Sequence, residues 1–167
     1  MGLWRKLLSN FSGKAAALST FDGKRYPAVM DPTLVGSFPA LTKSGGGYVW
    51  DEVLEYRVWS HPERGAPDEC DGSDYYDAFD NYTDALNFSL SNPGTEDPLA
   101  LVLQREHINE PEPGVFEHVT EERITEWRVE WLHRSRRTAR TIPDFFSPSA
   151  PGNRLEILRG EVDAEQG

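Results

Sequence analysis

The chain has 167 residues and a net charge of −11, from 28 Asp/Glu against 17 Lys/Arg, a balance that repels phosphates and excludes direct nucleic-acid binding. Its length suits one domain, and no apolar run approaches the roughly 18–20 residues of a membrane-spanning helix. The single cysteine, Cys70, excludes an intramolecular disulfide and favours a reducing compartment, so a cytoplasmic location is expected.

Residues 1–14 are expected to form an amphipathic helix. Over 2–12 the apolar side chains recur with a helical period beside the basic Arg5 and Lys6, and they are Leu3, Trp4, Leu7, Leu8 and Phe11. Such a helix covers the core of its own chain, docks on a second subunit or lies on a membrane surface. Docking within the chain or in a homodimer is the favoured interpretation, and membrane-surface contact the least favoured. Residues 15–47, with several prolines and glycines, are expected to be an irregular linker.

Residues 48–142 are predicted to form an acidic α+β domain. Over 49–132 the sequence holds 21 Asp/Glu against 5 Lys/Arg. Apolar and polar residues alternate over 48–60, which predicts one long, half-buried strand. Its apolar face comprises Tyr48, Trp50, Leu54, Tyr56 and Val58, and its solvent face comprises Asp51, Glu55 and Arg57.

Four further strands and one main helix are predicted in this domain. The strands are expected at 75–79, 99–103, 115–119 and 123–132, with a proline-stiffened turn at 110–114. The helix is expected to run from its N-cap Asn81 to residue 91, with an apolar face of Tyr82, Ala85, Leu86 and Leu90. The sequence therefore predicts an α+β fold: a four- to five-stranded, mostly antiparallel sheet in the order β-β-α-β-β-β, with the helix on one face. Residues 143–167 are expected to be an irregular tail that packs on the domain through its aromatic side chains.

The concentrated cationic site of the sequence lies at 134–140. Arg134, Arg136, Arg137 and Arg140 are candidate ligands for an anion, because guanidinium groups bind phosphate or carboxylate in bidentate fashion. The alternative is a solvated turn whose arginines pair with the abundant carboxylates. No metal is expected, because the acidic loop 68–74 lacks the EF-hand ligand positions and the histidines lack zinc-helix spacing. No catalytic residue can be assigned.

Two stretches resemble a family of small bacterial proteins labelled as GCN5-related N-acetyltransferases. They are Val53-Leu54-Glu55-Tyr56-Arg57-Val58-Trp59-Ser60-His61-Pro62-Glu63-Arg64-Gly65-Ala66, and the segment that begins Asp74-Tyr75-Tyr76-Asp77-Ala78-Phe79 and ends Pro98-Leu99-Ala100-Leu101-Val102-Leu103-Gln104. The resemblance covers about residues 48–160. It implies an acyl-CoA-dependent acetyltransferase with acetyl-CoA as its cofactor. The Gln/Arg-x-x-Gly-x-Gly/Ala turn by which that superfamily holds pyrophosphate is absent from the sequence, so the resemblance assigns no catalytic residue.

Three functional hypotheses follow. The leading one is a non-enzymatic binding or regulatory domain without a cofactor, acting on a protein partner or as a homodimer. The second is the acetyltransferase that the resemblance implies. The third is a nucleic-acid mimic, in which an acidic face occupies the site of a basic protein.

Overall fold

The computed structural model of the chain describes residues 5–6, 19–21, 24–134 and 136–162. In these ranges the strands are β1 (Arg5–Lys6), β2 (Ser19–Phe21), β3 (Lys24–Tyr26), β4 (Lys43–Ser44), β5 (Glu52–Ser60), β6 (Tyr75–Phe79), β7 (Leu99–Gln104), β8 (His107–Glu112), β9 (Val115–Val119) and β10 (Arg123–Arg128). The α-helices are α1 (Tyr82–Ser91), α2 (Thr141–Phe145) and α3 (Arg154–Leu158). Short 3-10 turns lie at Pro32–Leu34, Pro62–Arg64 and Val129–His133.

One mixed sheet forms the centre of the molecule, in the strand order β1-β6-β5-β7-β10-β4. The four long strands pair antiparallel, whereas β1 and β4 add two-residue parallel edges. Because β5 is antiparallel to both β6 and β7, these two strands run parallel on either side of it. Helix α1 packs against β5 and β6. The predicted α+β class, the mostly antiparallel sheet and the helix on one face are confirmed.

Helix α1 begins and ends where the sequence predicts. The side-chain oxygen of its N-cap Asn81 accepts a hydrogen bond from the Asp84 amide at 2.9 Å. Tyr82, Ala85 and Leu86 are buried against the sheet, but Leu90 is 72% exposed. The inclusion of Leu90 in the buried face was therefore wrong, because the stripe of Tyr82, Ala85 and Leu86 continues at Ser89 in the last turn and Leu90 lies at its edge.

Replacing Asn81 with alanine is expected to lower the free energy of unfolding by about 1 kcal/mol, since one amide of the first turn then loses its acceptor. Urea denaturation would measure the loss. Asn81→Asp keeps an oxygen acceptor and should lose little, so equal losses in the two variants would contradict a capping role.

The face of β5 that was predicted to be solvated is buried. Glu55 and Arg57 are each 0% exposed. Since Tyr56 meets the Tyr82 ring of α1, the neighbouring Arg57 points to the other face, where it donates to the carbonyl oxygens of Pro39 and Ala40 at 2.8 and 3.3 Å. Backbone from the predicted linker therefore covers this face. The prediction that β5 is buried on one face only was wrong. The residues that cover its second face are distant in sequence, so the local pattern of β5 does not reveal them.

The predicted linker contains several elements that pack on the body. Within it lie β2, β3, β4 and the turn Pro32–Leu34. Tyr26, Val29 and Val35 belong to the main core, and the Tyr26 ring lies 3.9 Å from that of Tyr82. Tyr56 donates its hydroxyl to the carbonyl oxygen of Pro27 at 2.6 Å, which fixes this segment beside α1.

The predicted helix over residues 2–12 lies mostly outside the described residues. Its two described members, Arg5 and Lys6, form β1 and pair in parallel with Asp77 and Ala78 of β6. At these two positions the helix prediction was wrong, because the open edge of β6 offers backbone hydrogen-bonding groups that an extended segment satisfies.

The region after β7 contains a strand that the sequence analysis did not predict. The segment 110–114 was expected to be a turn, but β8 extends to Glu112 and pairs with β9 as a separate two-stranded hairpin. Pro111 is tolerated because it falls within the register shift between Asn109 and Glu112. The strand predicted over 123–132 ends at Arg128, and the following 3-10 turn buries Val129 and Leu132, which are three residues apart.

Candidate functional site

Two arginines of the predicted anion site bind carboxylates of the body. Arg137 donates to Oδ1 of Asp51 from Nε at 2.9 Å, and its Nη1 donates to Oε1 of Glu106 at 3.0 Å. Arg136 donates to the carbonyl oxygen of Asp51 and to the carboxylate of Glu52. These contacts attach the segment after β10 to the start of β5. In this structure both guanidinium groups therefore meet acids of the same chain.

The other two predicted arginines lie elsewhere. Arg140 is 82% exposed and pairs with Asp144 one helical turn later, at 3.3 Å. The guanidinium of Arg134 lies 5.4 and 5.1 Å from the ring centres of Trp127 and Trp131. The structure thus does not bring the four guanidinium groups around one centre.

A cleft opens where the C-terminal helices α2 and α3 meet. Its volume is about 350 Å³, and it is lined by Thr141, Asp144, Phe145, Pro151, Arg154, Ile157 and Leu158. The lining is mainly apolar, with three polar groups among its members. This size and composition are typical of small-ligand sites.

The cleft rests on a second hydrophobic cluster, separate from the main core. Ile142 and Phe145 of α2 are buried with Val49 and Ile108, and Leu155 and Leu158 of α3 pack against them. Aromatic rings continue this cluster outward: Phe116 of β9 meets Phe145 edge to face at 5.1 Å. The C-terminal segment is therefore attached to the β8–β9 hairpin by aromatic packing, which holds the cleft in place.

Arg154 carries the cationic group of the cleft. Its guanidinium lies 4.8 Å from the ring centre of Phe145 and 5.8 Å from that of Phe116, and Nη1 donates to the carbonyl oxygen of Phe145 at 3.1 Å. Among the described residues, no carboxylate forms an ion pair with it. In a chain with 28 acids and 17 bases, a partly buried arginine without an acidic partner is positioned to meet an external anion.

Tyr48 stands beside this cluster in an unusual conformation. It follows Gly45, Gly46 and Gly47, and the four residues have φ angles of 67°, 79°, 84° and 62°. Left-handed backbone is disfavoured for a bulky aromatic residue and is often found at functional sites. The ring of Tyr48 approaches that of Phe116 at 6.3 Å, and its hydroxyl donates to the carboxylate of Glu110.

The electrostatics around Tyr48 follow from burial and charge. Burial, reinforced by Glu110, raises the pKa of Tyr48, whereas Arg159, whose guanidinium lies 5.6 Å from the ring centre, acts in the opposite direction. Burial and then the positive charge of Arg159 lower the pKa of Arg134. Arg134 and Arg159 thus add positive potential next to the cluster that supports the cleft.

Two of the histidines lie against carboxylates outside the cleft. The two ring nitrogens of His61 lie 2.9 Å from carboxylate oxygens of Asp74 and Glu96, and Nε2 of His118 lies 2.6 Å from Glu106. His107 is buried, which lowers its pKa, with Arg123 and Lys43 acting in the same direction. In the ranges that the structure covers, no cluster of three or more His, Cys, Asp or Glu side chains is arranged to bind a metal ion.

The sequence analysis missed Arg154 as a residue of the cleft and Tyr48 as a residue that packs on the cluster supporting it. The glycine triplet at 45–47 was a usable signal for Tyr48, because consecutive glycines mark backbone that adopts positive φ. Nothing local marks Arg154, since its importance comes from the aromatic rings that α2 and β9 bring to it.

The contacts and the cleft described above are the basis for proposing a function. No protein-family model, curated protein or solved structure matches the chain. In the described part of the chain, no helix has both the length and the apolar character needed to cross a membrane.

Proposed function

We propose that the protein is a non-enzymatic binding domain and that the α2–α3 cleft holds an apolar chain of its ligand. The observation that carries the proposal is the cleft itself: about 350 Å³ of mainly apolar space at the junction of two helices, with few polar groups. A cytoplasmic location fits the single cysteine and is part of the proposal.

The polar groups of the cleft support binding rather than catalysis. Oγ1 of Thr141 accepts a hydrogen bond from the Thr138 amide at 2.9 Å. Asp144 pairs with Arg140. A nucleophile needs a general base within hydrogen-bond reach, and the carboxylate of Asp144 accepts hydrogen bonds from Arg140 rather than from the Thr141 hydroxyl, which bonds to Thr138. These groups orient a ligand without activating one.

An octyl chain is expected to bind in the cleft of the wild-type protein, and Ile157→Glu should weaken this binding at least about tenfold by placing a charge in apolar surroundings. Titration with 1-octanol, followed by methyl NMR of Ile157 and Leu158 in the wild type and by calorimetry in both proteins, would measure it. Leu90→Glu is the matched control, because Leu90 is 72% exposed and lies outside the cleft. NMR shifts that do not saturate and are spread over the protein would contradict the proposal. So would an equal loss of octanol affinity in the two variants.

The acetyltransferase remains the alternative enzymatic proposal, supported by the resemblance over about residues 48–160. It predicts micromolar binding of acetyl-CoA and transfer of the acetyl group to an amine. Calorimetric titrations with acetyl-CoA and with free CoA separate the two functions. Free CoA, which has no acyl chain, should bind as well as acetyl-CoA under the enzyme proposal and should not bind under the cleft proposal.

The acidic hairpin β8–β9 favours a third candidate function, mimicry of a nucleic acid. Over 106–122 the sequence has six glutamates and neither lysine nor arginine, and Glu112, Glu117, Glu121 and Glu122 are exposed. Such a surface would attract a basic protein in a salt-sensitive way. A protein partner or a homodimer belongs to the leading proposal of a binding domain, and sedimentation of the chain with and without residues 1–14 would test self-association.

A further inference from the structure

We infer that the ligand of the α2–α3 cleft is a monocarboxylate with an aliphatic chain, and that Arg154 selects its carboxylate. This inference rests on the proposed function and names the substrate class of the same site. The apolar chain would occupy the space lined by Pro151, Ile157 and Leu158, with the charged head group at Arg154.

The orientation of Arg154 leaves one edge of its guanidinium available. Nη1 donates to the carbonyl oxygen of Phe145, and the guanidinium group lies near the rings of Phe145 and Phe116. Within the described residues neither Nε nor Nη2 donates to a protein acceptor. The Nε–Nη2 edge presents two parallel N–H groups, which match the two oxygens of a carboxylate.

The charges around the cleft favour an anion over a cation. Asp144, the acidic group of the lining, is compensated by Arg140 at 3.3 Å, whereas Arg154 has no acidic partner among the described residues. The pair Arg140–Asp144 sums to zero, so the lining and its partner carry a net charge of about +1. A single unpaired guanidinium balances a monoanion, which points to a carboxylate rather than a doubly charged phosphate.

The guanidinium of Arg154 is held by two aromatic rings and by the carbonyl oxygen of Phe145, which restricts the side chain. Contacts to two rings restrict the side chain, so that little rotamer entropy is lost when a ligand binds. Partial burial also reduces competition from water, because a charge-assisted hydrogen bond is stronger where solvent is excluded. Recognition of the head group therefore depends on the fixed position of this side chain, and not on its charge alone.

The test compares octanoate with octanamide, 1-octanol and octyl phosphate by calorimetry at pH 7 and low salt. The wild-type protein should bind octanoate about tenfold more tightly than octanamide, because the bidentate contact is charge-assisted. Arg154→Met retains an apolar stem and should lose this preference while still binding 1-octanol. Arg154→Lys should keep only part of it, since an ammonium group lacks the planar edge.

Arg128→Met is the matched control, because Arg128 is 70% exposed at the end of β10 and pairs with Glu130. It should leave the octanoate preference unchanged. Equal affinity for octanoate and octanamide in the wild type, an unchanged preference in Arg154→Met, or tighter binding of octyl phosphate would each overturn the inference. Absence of binding for all four octyl compounds would instead refute the proposed function itself.

Discussion

Replacing Arg57 with methionine is expected to lower the free energy of unfolding by about 3–5 kcal/mol, because it leaves a buried carboxylate without its cation. Nε of Arg57 donates to Oε1 of Glu55 at 2.6 Å, and both side chains are 0% exposed. The opposite oxygen of Glu55 accepts the Gly36 amide at 2.6 Å, so the carboxylate is held in place when the guanidinium is removed. Its charge would then face neither water nor a cation.

Arg57 also joins the sheet to the segment that covers it. Nη1 pairs with Glu126 of β10 at 3.0 Å, and the guanidinium lies 4.4 Å from the ring centre of Tyr76. Its contacts to the carbonyl oxygens of Pro39 and Ala40 satisfy backbone groups that meet no other donor among the described residues. The loss in Arg57→Met therefore includes these unsatisfied acceptors.

Urea denaturation at neutral pH would measure this loss against Arg128→Met. Arg128 is 70% exposed and pairs with Glu130 at 3.5 Å, so its replacement should change stability by less than about 1 kcal/mol. The double variant Glu55→Met, Arg57→Met removes the stranded charge and should recover part of the loss. If Arg57→Met were no less stable than Arg128→Met, Glu55 would have to reach solvent or take up a proton at little cost.

The buried charges of β5 show how far the sequence specifies the fold. The strand begins only at Glu52, and next to a register shift between Val53 and Glu55 the side chain of Leu54 packs in a cluster separate from that of Tyr56 and Val58. The alternation over 48–60 nevertheless predicts most of this strand, because side chains on successive residues point to opposite faces. It does not predict that the polar face is also covered. That cover depends on a segment some twenty residues earlier, whose carbonyl groups meet Arg57, and a local pattern does not encode such a contact.

The candidate site, like the fold, is predicted from the sequence only in part. The run 134–140 is predicted as an anion site with pairing to nearby carboxylates as the alternative, and in the structure Arg136 and Arg137 pair with Asp51, Glu52 and Glu106. The cleft depends on the relative placement of α2, α3 and β9, which are short or distant in sequence. Helices of five residues have too few turns to show an apolar period, so the sequence predicts a tail where the structure has two walls of a cleft.

Replacing Gly47 with alanine is expected to destabilise the protein by about 3 kcal/mol or more, the sum of backbone strain and steric overlap. Gly47 has a φ of +84°, and a Cβ there would lie 2.3 Å from Nε2 and 2.7 Å from Oε1 of Gln104. Gln104 cannot easily move away. Its Nε2 donates to the carbonyl oxygens of Gly46 and Val49 at 3.0 and 2.7 Å, and its Oε1 accepts from Arg123 at 2.6 Å.

Gly114→Ala separates the two contributions, because Gly114 has a φ of +80° but no atom within 4 Å of its Cβ position. It should lose only the backbone part, about 1 kcal/mol. Thermal and urea unfolding of both variants would give the difference, which is the steric part at Gly47. Equal losses would mean that Gln104 gives up its hydrogen bonds to the glycine segment without penalty. The side chain of Gln104 binds the carbonyl groups of Gly46 and Val49, on either side of Gly47 and Tyr48, and we expect these bonds to impose the left-handed conformation of Tyr48. Equal losses in the two variants would contradict this role of Gln104.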